Sequence, residues 1–241
     1  MSNGIAYLSL LAASILALAG CDARRVSDER TAAAASARPQ PGARYQVDAA
    51  RERIWWLTPA GVFLRDARSP ERIAVSIPGW QWAGEPFSCG PALALGPGGE
   101  ALVTSDVAST VWKIDPETLA VSVHALAPDA DTDKDVGYTG LAYSHEHAAF
   151  FAVSGIQGSL WRIDPSLTRA QKVALSAPVR QACGLAVSTQ QKAERGNGLC
   201  IRSPQGDWTV QLAPDYRSAS VRSAPCSDRT WLLSQVTLRI E

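Results

Sequence analysis

Short apolar runs separated by Gly, Pro, Asp and Ser fill the chain from residue 44 to residue 241. Within a run, apolar and polar residues alternate or every residue is apolar, as in half-buried and fully buried β-strands. No stretch of core-forming length repeats its apolar residues with the period of a helix. The pattern therefore predicts an all-β domain of many short strands joined by tight turns.

A short stretch recurs within this pattern. Residues 111–118 read VWKIDPET, and residues 160–167 read LWRIDPSL, 49 positions later. The same spacing backwards from Trp112 reaches Phe63, and a spacing of 47 forwards from Trp161 reaches Trp208. A repeat in the forties that holds several short strands is typical of a β-propeller, in which each repeat is one blade.

The repeated aromatic residues divide the predicted strands into four antiparallel blades, each of four strands. The predicted strands are 45–48, 53–57, 62–65 and 72–77, then 92–95, 101–104, 110–114 and 121–126, then 140–143, 149–153, 159–163 and 170–175, and finally 184–187, 199–202, 208–212 and 219–222. Residues 231–234 and 236–240 form an incomplete last blade, which aligns equally well with the opening of a fifth blade or with the first blade. We expect this fragment to cover the open edges of a ring of four or five blades.

The Trp-x-Ile-Asp-Pro motif at residues 112–116 and 161–165 is a structural motif, because the Trp packs between blades and Asp-Pro begins a turn. It resembles strand and turn segments of a broad propeller group. That group includes virginiamycin B lyase, gluconolactonase-type enzymes, YVTN-repeat surface proteins and propeller lipoproteins of outer-membrane assembly. The resemblance implies the fold. The acids, amides and histidines that the lyases and lactonases gather in their channel have no residue-by-residue match in this sequence.

The amino-terminal residues read as an export signal and a tether. The apolar run at residues 5–19 is too short for a comfortable transmembrane helix and ends in Leu-Ala-Gly-Cys21, which resembles a bacterial lipobox. The resemblance implies removal of residues 1–20 and a diacylglyceryl and palmitate-type anchor on Cys21. Residues 21–43 then form a flexible tether that reaches about 25 Å, and residues 44–241 form the propeller. We therefore expect a lipid-anchored domain on the periplasmic side of the envelope, in either the inner or the outer membrane.

The charge balance argues against a polyanionic partner. The chain has 23 basic and 23 acidic residues, a net charge of zero, and its arginines are scattered along the sequence. A nucleic-acid-binding domain would gather them into a basic stripe. The partners that we expect are the membrane, through the lipid anchor, and another protein of the envelope.

A ligand site is expected where the connections between blades surround one mouth of the central channel. The candidate residues on this rim are Trp80, Trp82, Glu85, Tyr138 and Arg180. Trp80 and Trp82 would either stack on a sugar, a peptide or a partner protein, or plug the channel.

One of these connections is acidic. Asp129, Asp131, Asp133 and Asp135 alternate in the way that a Ca²⁺ loop requires, which makes Ca²⁺ the candidate cofactor. The loop departs from the EF-hand pattern, because Lys134 replaces its glycine and Gly140 its final glutamate. A solvated acidic loop is the alternative interpretation. His145 and His147 belong to a turn on the other face, so we do not expect them to join this site.

Four cysteines lie beyond Cys21, namely Cys89, Cys183, Cys200 and Cys226. An even number in an exported chain predicts two disulfides, and three pairings remain open. Cys89, Cys183 and Cys226 all precede predicted inner strands, so we expect a disulfide to staple the rim.

The sequence favours a protein-binding or scaffolding propeller over an enzyme but does not decide the question. No nucleophile elbow, phosphate loop or dinucleotide motif is present. The alternatives are a cation-dependent enzyme of the lyase or lactonase type, with Glu85 and the acidic loop supplying oxygens, and a propeller that binds a sugar or another small ligand.

Overall fold

Seventeen strands and no helix are found in the part of the chain described by the computed structural model. The described residues are 44–66, 68–69, 71–83, 89–129, 137–187 and 198–226. They all belong to one compact unit, which spans Gly42–Glu241. No helix among them is long and apolar enough to cross a membrane.

Sixteen of the strands form four antiparallel units in chain order, which we call blades 1 to 4. Blade 1 holds β1 (Arg44–Asp48), β2 (Arg53–Thr58), β3 (Gly61–Asp66) and β4 (Arg72–Val75), and blade 2 holds β5 (Leu93–Leu95), β6 (Ala101–Thr104), β7 (Thr110–Ile114) and β8 (Val121–Ala125). The short strand β9 (Ala127–Pro128) follows. Blade 3 holds β10 (Gly140–Ser144), β11 (Ala149–Val153), β12 (Leu160–Ile163) and β13 (Arg169–Leu175), and blade 4 holds β14 (Gly184–Val187), β15 (Leu199–Ser203), β16 (Gly206–Leu212) and β17 (Ser218–Ser223).

The fold is the predicted small β-propeller with four-stranded antiparallel blades. Strand bounds agree with the prediction to within two residues, and the four aromatics in register all lie on third strands, with Phe63 on β3, Trp112 on β7, Trp161 on β12 and Trp208 on β16. The strands expected at 231–234 and 236–240 lie outside the described residues.

Two pairings between elements were not predicted. The outer strands β13 and β17 pair in parallel, which joins blades 3 and 4 into one sheet, and β9 pairs in parallel with the beginning of β13. The inner strands of the same two blades also pack together, because any Cβ on Gly140 would lie 2.8 Å from the Gly184 carbonyl carbon and the Leu185 nitrogen. Blades 3 and 4 therefore enclose their core almost as a closed barrel.

The core lies between the blades, as in other layered sheets. Blades 1 and 2 enclose one cluster, with Trp55 and Trp112 among its largest members. Blades 2 and 3 enclose a second cluster around Trp161, and blades 3 and 4 a third around Phe151. The repeated tryptophan is thus a packing residue in both copies, as the sequence predicted.

Candidate functional site

The two ends of the blades carry different segments. Since neighbouring strands are antiparallel, the starts of the inner strands, the turns between second and third strands and the connections between blades all lie on one face, which we call the mouth face. The turns that join first to second strands and third to fourth strands lie on the other face, which we call the opposite face. Every residue predicted for the rim belongs to a mouth-face connection.

A disulfide staples the mouth face. Cys89 and Cys183, which precede the inner strands of blades 2 and 4, are bonded with their Cα atoms 5.0 Å apart. The second disulfide joins Cys200 on β15 to Cys226, just after β17. Both predicted disulfides are therefore present, and the structure decides between the pairings that the sequence left open.

Arg44, the first residue of β1, reinforces this staple. Its guanidinium donates from Nη1 to the carbonyl of Cys183, at 2.6 Å, and from Nη2 to the carbonyl of Gly90, at 3.2 Å. Burial lowers the pKa of Arg44 to about 10, so the side chain remains charged at neutral pH. Nothing in the sequence pointed to this role, because Arg44 resembles the many other arginines that are scattered along the chain. It ties blade 1 to the connections of blades 2 and 4.

Trp80 and Trp82 line an open cleft of about 490 Å³ on the mouth face, which we call the tryptophan cleft. Its other walls are the turn at residues 59–61 and the chain that leaves β4 at residues 75–77. The two indole rings are nearly perpendicular, with centroids 6.3 Å apart. Trp80 donates from Nε1 to the carbonyl of Thr104 at 3.0 Å and packs against the core of blades 1 and 2. Both side chains are half-buried, so each keeps an exposed part toward the cleft.

Trp82 is held at the inner side of this cleft. Its ring lies directly on Gly90, where an added Cβ would come within 2.0 Å of the ring atom Cζ2. The next residue, Ala83, donates its backbone N–H to Oδ1 of Asp106 at 3.4 Å. Only a glycine fits under the ring at position 90, so the loop that carries Trp82 is fixed against the stapled mouth.

Asp106 is a buried carboxyl that the sequence analysis did not single out. It is 1% exposed, its Oδ2 has no hydrogen-bond partner within the described part of the chain, and burial raises its pKa. Gly137 packs onto its backbone so closely that a Cβ there would lie 1.9 Å from the Asp106 carbonyl. Asp106 thus joins the tryptophan loop to the end of the connection into blade 3.

Tyr138 does not lie at an exposed rim, which corrects the expectation that it binds a ligand there. It is fully buried in the core between blades 2 and 3, and its backbone N–H donates to the carbonyl of Ser105 at 2.6 Å. Burial raises the pKa of its hydroxyl, which has no hydrogen-bond partner in the region described. The large apolar ring fills the space between two blades, so the residue is structural.

The structure describes less about the surroundings of the other rim candidates. Arg180 is exposed on the connection into blade 4, and Glu85 lies outside the described residues. Of the acidic loop only Asp129 is described, and its Oδ1 accepts the backbone N–H of Lys172 at 2.8 Å. Asp131, Asp133 and Asp135 lie outside the described residues, so the Ca²⁺ site stays a prediction.

Another cluster of potential metal ligands brings together Cys200, Asp207 and Cys226, whose ligand atoms lie within 4.8 Å of one another. Both sulfur atoms are already joined in the disulfide, and Asp207 pairs with Arg202 at 3.1 Å. The group has no free thiolate to offer a metal, so it is a structural cluster.

His147 lies on the opposite face, as predicted, but it is not simply an exposed turn residue. Its Nδ1 lies 3.2 Å from the hydroxyl of Tyr216, and its ring packs edge-on against Phe151. The guanidinium of Arg162 sits 5.3 Å from the centre of the Tyr216 ring. This contact joins the turns of blades 3 and 4, while His145 remains exposed.

The described turns and connections of the mouth face carry few exposed charges, whereas the described turns of the opposite face carry several. The exposed charged residues in the described turns and connections of the mouth face are Asp129 and Arg180. The described turns of the opposite face carry eight exposed charged residues: Glu52, Arg68, Glu71, Asp115, Glu117, Glu146, Asp215 and Arg217. Apolar tips replace charges on the mouth face, with Val107 44% and Ile156 49% exposed.

Comparison with known proteins identifies solved structures of similar fold. No family model matches the chain, and no curated protein matches it in sequence. Among solved structures, a streptogramin B lyase has a TM-score of 0.53 at 11% identity over 79% of this chain and 57% of its own. A dihydro-heme d1 dehydrogenase has a TM-score of 0.52 at 16% identity over 76% of this chain and 36% of its own. A family 74 glycoside hydrolase, a xyloglucanase from Xanthomonas campestris, has a TM-score of 0.51 at 15% identity over 73% of this chain and 29% of its own.

These likenesses concern the fold alone. The chain spans between about a third and somewhat over half of the length of these structures. They confirm the predicted resemblance to the propeller group that includes the lyases. The neighbours include a lyase and a glycosidase, so the fold supports enzymes as well as binding proteins.

Proposed function

We propose that the protein is a lipid-anchored propeller of the periplasm whose mouth face binds another protein of the envelope. The single observation that carries the proposal is the unequal number of exposed charges in the described turns of the two faces. The centres of protein interfaces are depleted of charged residues and enriched in aromatic ones. The described part of the mouth face has this composition, with Trp80 and Trp82 beside uncharged turn tips, and the described turns of the opposite face do not.

The shape of the mouth face also favours a protein partner over a small molecule. A small-ligand site is usually an enclosed pocket that buries most of its ligand. The tryptophan cleft is open, whereas the disulfide and Arg44 hold the segments around the inner strands tightly against one another. An open cleft with a fixed aromatic wall can accept a side chain from a larger surface.

A matched pair of substitutions tests this proposal. Ala60 and Ala50 are exposed alanines in two tight turns of blade 1, the first on the mouth face beside the tryptophan cleft and the second on the opposite face. The tagged full chain carrying Ala60→Glu or Ala50→Glu would be recovered from detergent-solubilised membranes, and its bound proteins quantified by mass spectrometry. We expect at least one protein to fall about tenfold with Ala60→Glu, since a buried unpaired charge costs more than 1.4 kcal/mol, and to stay unchanged with Ala50→Glu.

A bound protein whose amount neither substitution changes would not support the proposal. If no bound protein is recovered in different amounts from the two variants, the proposal is contradicted. Glycans that quench tryptophan fluorescence in the wild type but not in Trp82→Ala would instead favour the sugar-binding alternative. The anchor is tested separately, because the mass of the purified protein should correspond to residues 21–241 with lipid on Cys21, and a protein that keeps residues 1–20 or carries no lipid would contradict it.

A further inference from the structure

The outer edges of the blades are not equally covered. The edge of β13 pairs with β9 near its beginning and with β17 near its end. In the part of the chain that the structure describes, β4 and β8 are the last strands of their sheets and have no partner on their outer side. Among the described residues, no strand pairs with the backbone N–H and carbonyl groups on the outer sides of β4 and β8.

Both free edges carry an exposed apolar side chain. Ile73 on β4 is 44% exposed and Val123 on β8 is 53% exposed. Three of the four residues of β4 are exposed. Soluble proteins normally protect edge strands with charges, prolines or a covering segment, because such an edge readily accepts another strand. Within the part of the chain that the structure describes, none of these features protects the centre of β4, Ile73-Ala74.

The molecule itself shows what an outer edge of this fold can accept. The segment that leaves blade 2 runs along β13, where Ala127 donates its N–H to the carbonyl of Thr168 at 3.0 Å and Asp129 donates to that of Ala170 at 3.1 Å. A short extended segment thus adds to an outer strand through backbone hydrogen bonds. Strand addition of this kind gives affinity through the main chain, with specificity from side-chain pockets.

Only one of the two free edges leads into the tryptophan cleft. The chain that follows β4, at residues 75–77, forms a wall of that cleft together with Trp80 and Trp82. After β8, by contrast, the chain passes at once into β9 and onto blade 3. A strand added to β4 would therefore run directly toward the cleft, whereas a strand added to β8 would meet β9.

We infer that the partner contributes an extended segment that pairs with the free edge of β4 and places an apolar or aromatic side chain in the tryptophan cleft. This inference rests on the proposed function and names the element that the mouth face recognises. The backbone of β4 supplies hydrogen bonds, Ile73 packs against an alternate side chain of the added strand, and Trp82 stacks on the residue that enters the cleft.

The test compares the two edges directly. A photo-crosslinking amino acid would replace exposed Gln81 in the cleft of the full chain, and the yield of crosslinked adduct would be measured in intact membranes. Ile73→Lys places a long charged side chain on the β4 edge, and Val123→Lys places the same group on the β8 edge. We expect Ile73→Lys to lower the adduct yield about tenfold and Val123→Lys to leave it unchanged. Amides of residues 71–77 should exchange more slowly when the adduct forms, and those of residues 121–126 should not.

The outcomes separate the two proposals. If the protein with both wild-type edges forms no adduct, the proposed function and this inference are overturned together. An adduct that survives Ile73→Lys, or that falls equally with both lysines, would overturn the β4 edge while leaving the mouth face as the docking surface. Circular dichroism and the thermal midpoint of both variants check that neither has unfolded.

Discussion

The two disulfides should differ in how much they stabilise the propeller. Replacing Cys89 and Cys183 by alanine should lower the free energy of unfolding more than replacing Cys200 and Cys226. The reason lies in the unfolded chain, where a crosslink removes more conformational entropy when it closes a longer loop. The first bond closes a loop with a sequence separation of 94, and the second a loop with a separation of 26.

The expected losses follow from these separations. The chain-entropy relation gives about 4.7 kcal/mol for the longer loop and about 3.5 kcal/mol for the shorter one at 25 °C. The difference is about 1 kcal/mol. The folded state widens it, because Arg44 donates to the carbonyl of Cys183 and to that of Gly90, next to Cys89. Loss of the first disulfide therefore also loosens a charged hydrogen-bond pair that ties blade 1 to the mouth.

Equilibrium unfolding in guanidinium chloride without reductant measures both losses. The wild type, the two double variants and the quadruple variant would be compared at one pH and salt concentration, with the slope m recorded for each. We expect the variants that lack Cys89 and Cys183 to unfold at the lower midpoint. A larger loss from Cys200 and Cys226 would refute the reasoning, since it would show that local contacts rather than loop length decide the contribution.

Three further predictions concern single positions. Burial raises the pKa of Asp106 in the folded protein. Its contribution to stability should therefore be present below the pKa of an unfolded aspartate and be lost as pH rises through the folded pKa. Asp106→Asn should remove this pH dependence from thermal midpoints measured between about pH 4 and pH 7. Burial would raise the pKa of Asp164, but hydrogen bonds from Ser166, Arg169 and Thr168 outweigh it and hold the pKa at about 2. Its contribution should therefore be lost as pH falls from about 4 toward 2, and Ser166→Ala should move that loss to higher pH in acid-unfolding curves. Gly140→Ala should cost about 1–3 kcal/mol in urea unfolding, because its Cβ would lie 2.8 Å from the backbone of the neighbouring inner strand.

The strands and the blade order could be predicted from sequence because they depend on local patterns. Each strand must either alternate apolar and polar residues or consist of buried apolar residues, and each blade must supply one large aromatic residue to the space between it and a neighbouring blade. The parallel pairing of β13 with β17 could not be predicted in this way. It depends on how closely blades 3 and 4 approach, and that distance follows from Gly140 and Gly184 at the inner strands, whose role appears only once the two blades are packed together.

The sequence predicted which connections carry the candidate residues, but not the surroundings of each residue. Trp80 and Trp82 do lie on the mouth face, because connections between blades must lie there whatever their sequence. Tyr138 was wrongly placed at the surface, since a loop position does not reveal that its ring reaches the core. Arg44 and Asp106 were missed because their importance comes from burial next to residues distant in the sequence.

The scarcity of exposed charge in the described turns of the mouth face follows only in part from the chemistry of those turns. On the opposite face an aspartate caps each turn between the third and fourth strands by accepting a backbone N–H, and these aspartates are Asp66, Asp115, Asp164 and Asp215. On the mouth face a hydroxyl residue begins each turn between the second and third strands, and these residues are Thr58, Ser105, Ser154 and Ser203, all buried.

Burial explains why the first residue of each mouth-face turn is neutral, because an aspartate there would lose its hydration. It does not explain the tips that follow, which are exposed and read Pro59-Ala60, Val107-Ala108, Ile156-Gln157 and Pro204-Gln205. A charge at any of these positions would cost the fold nothing, since the side chain would remain in water. The four exposed tips carry no charge, as the proposed docking of a protein partner on this face requires.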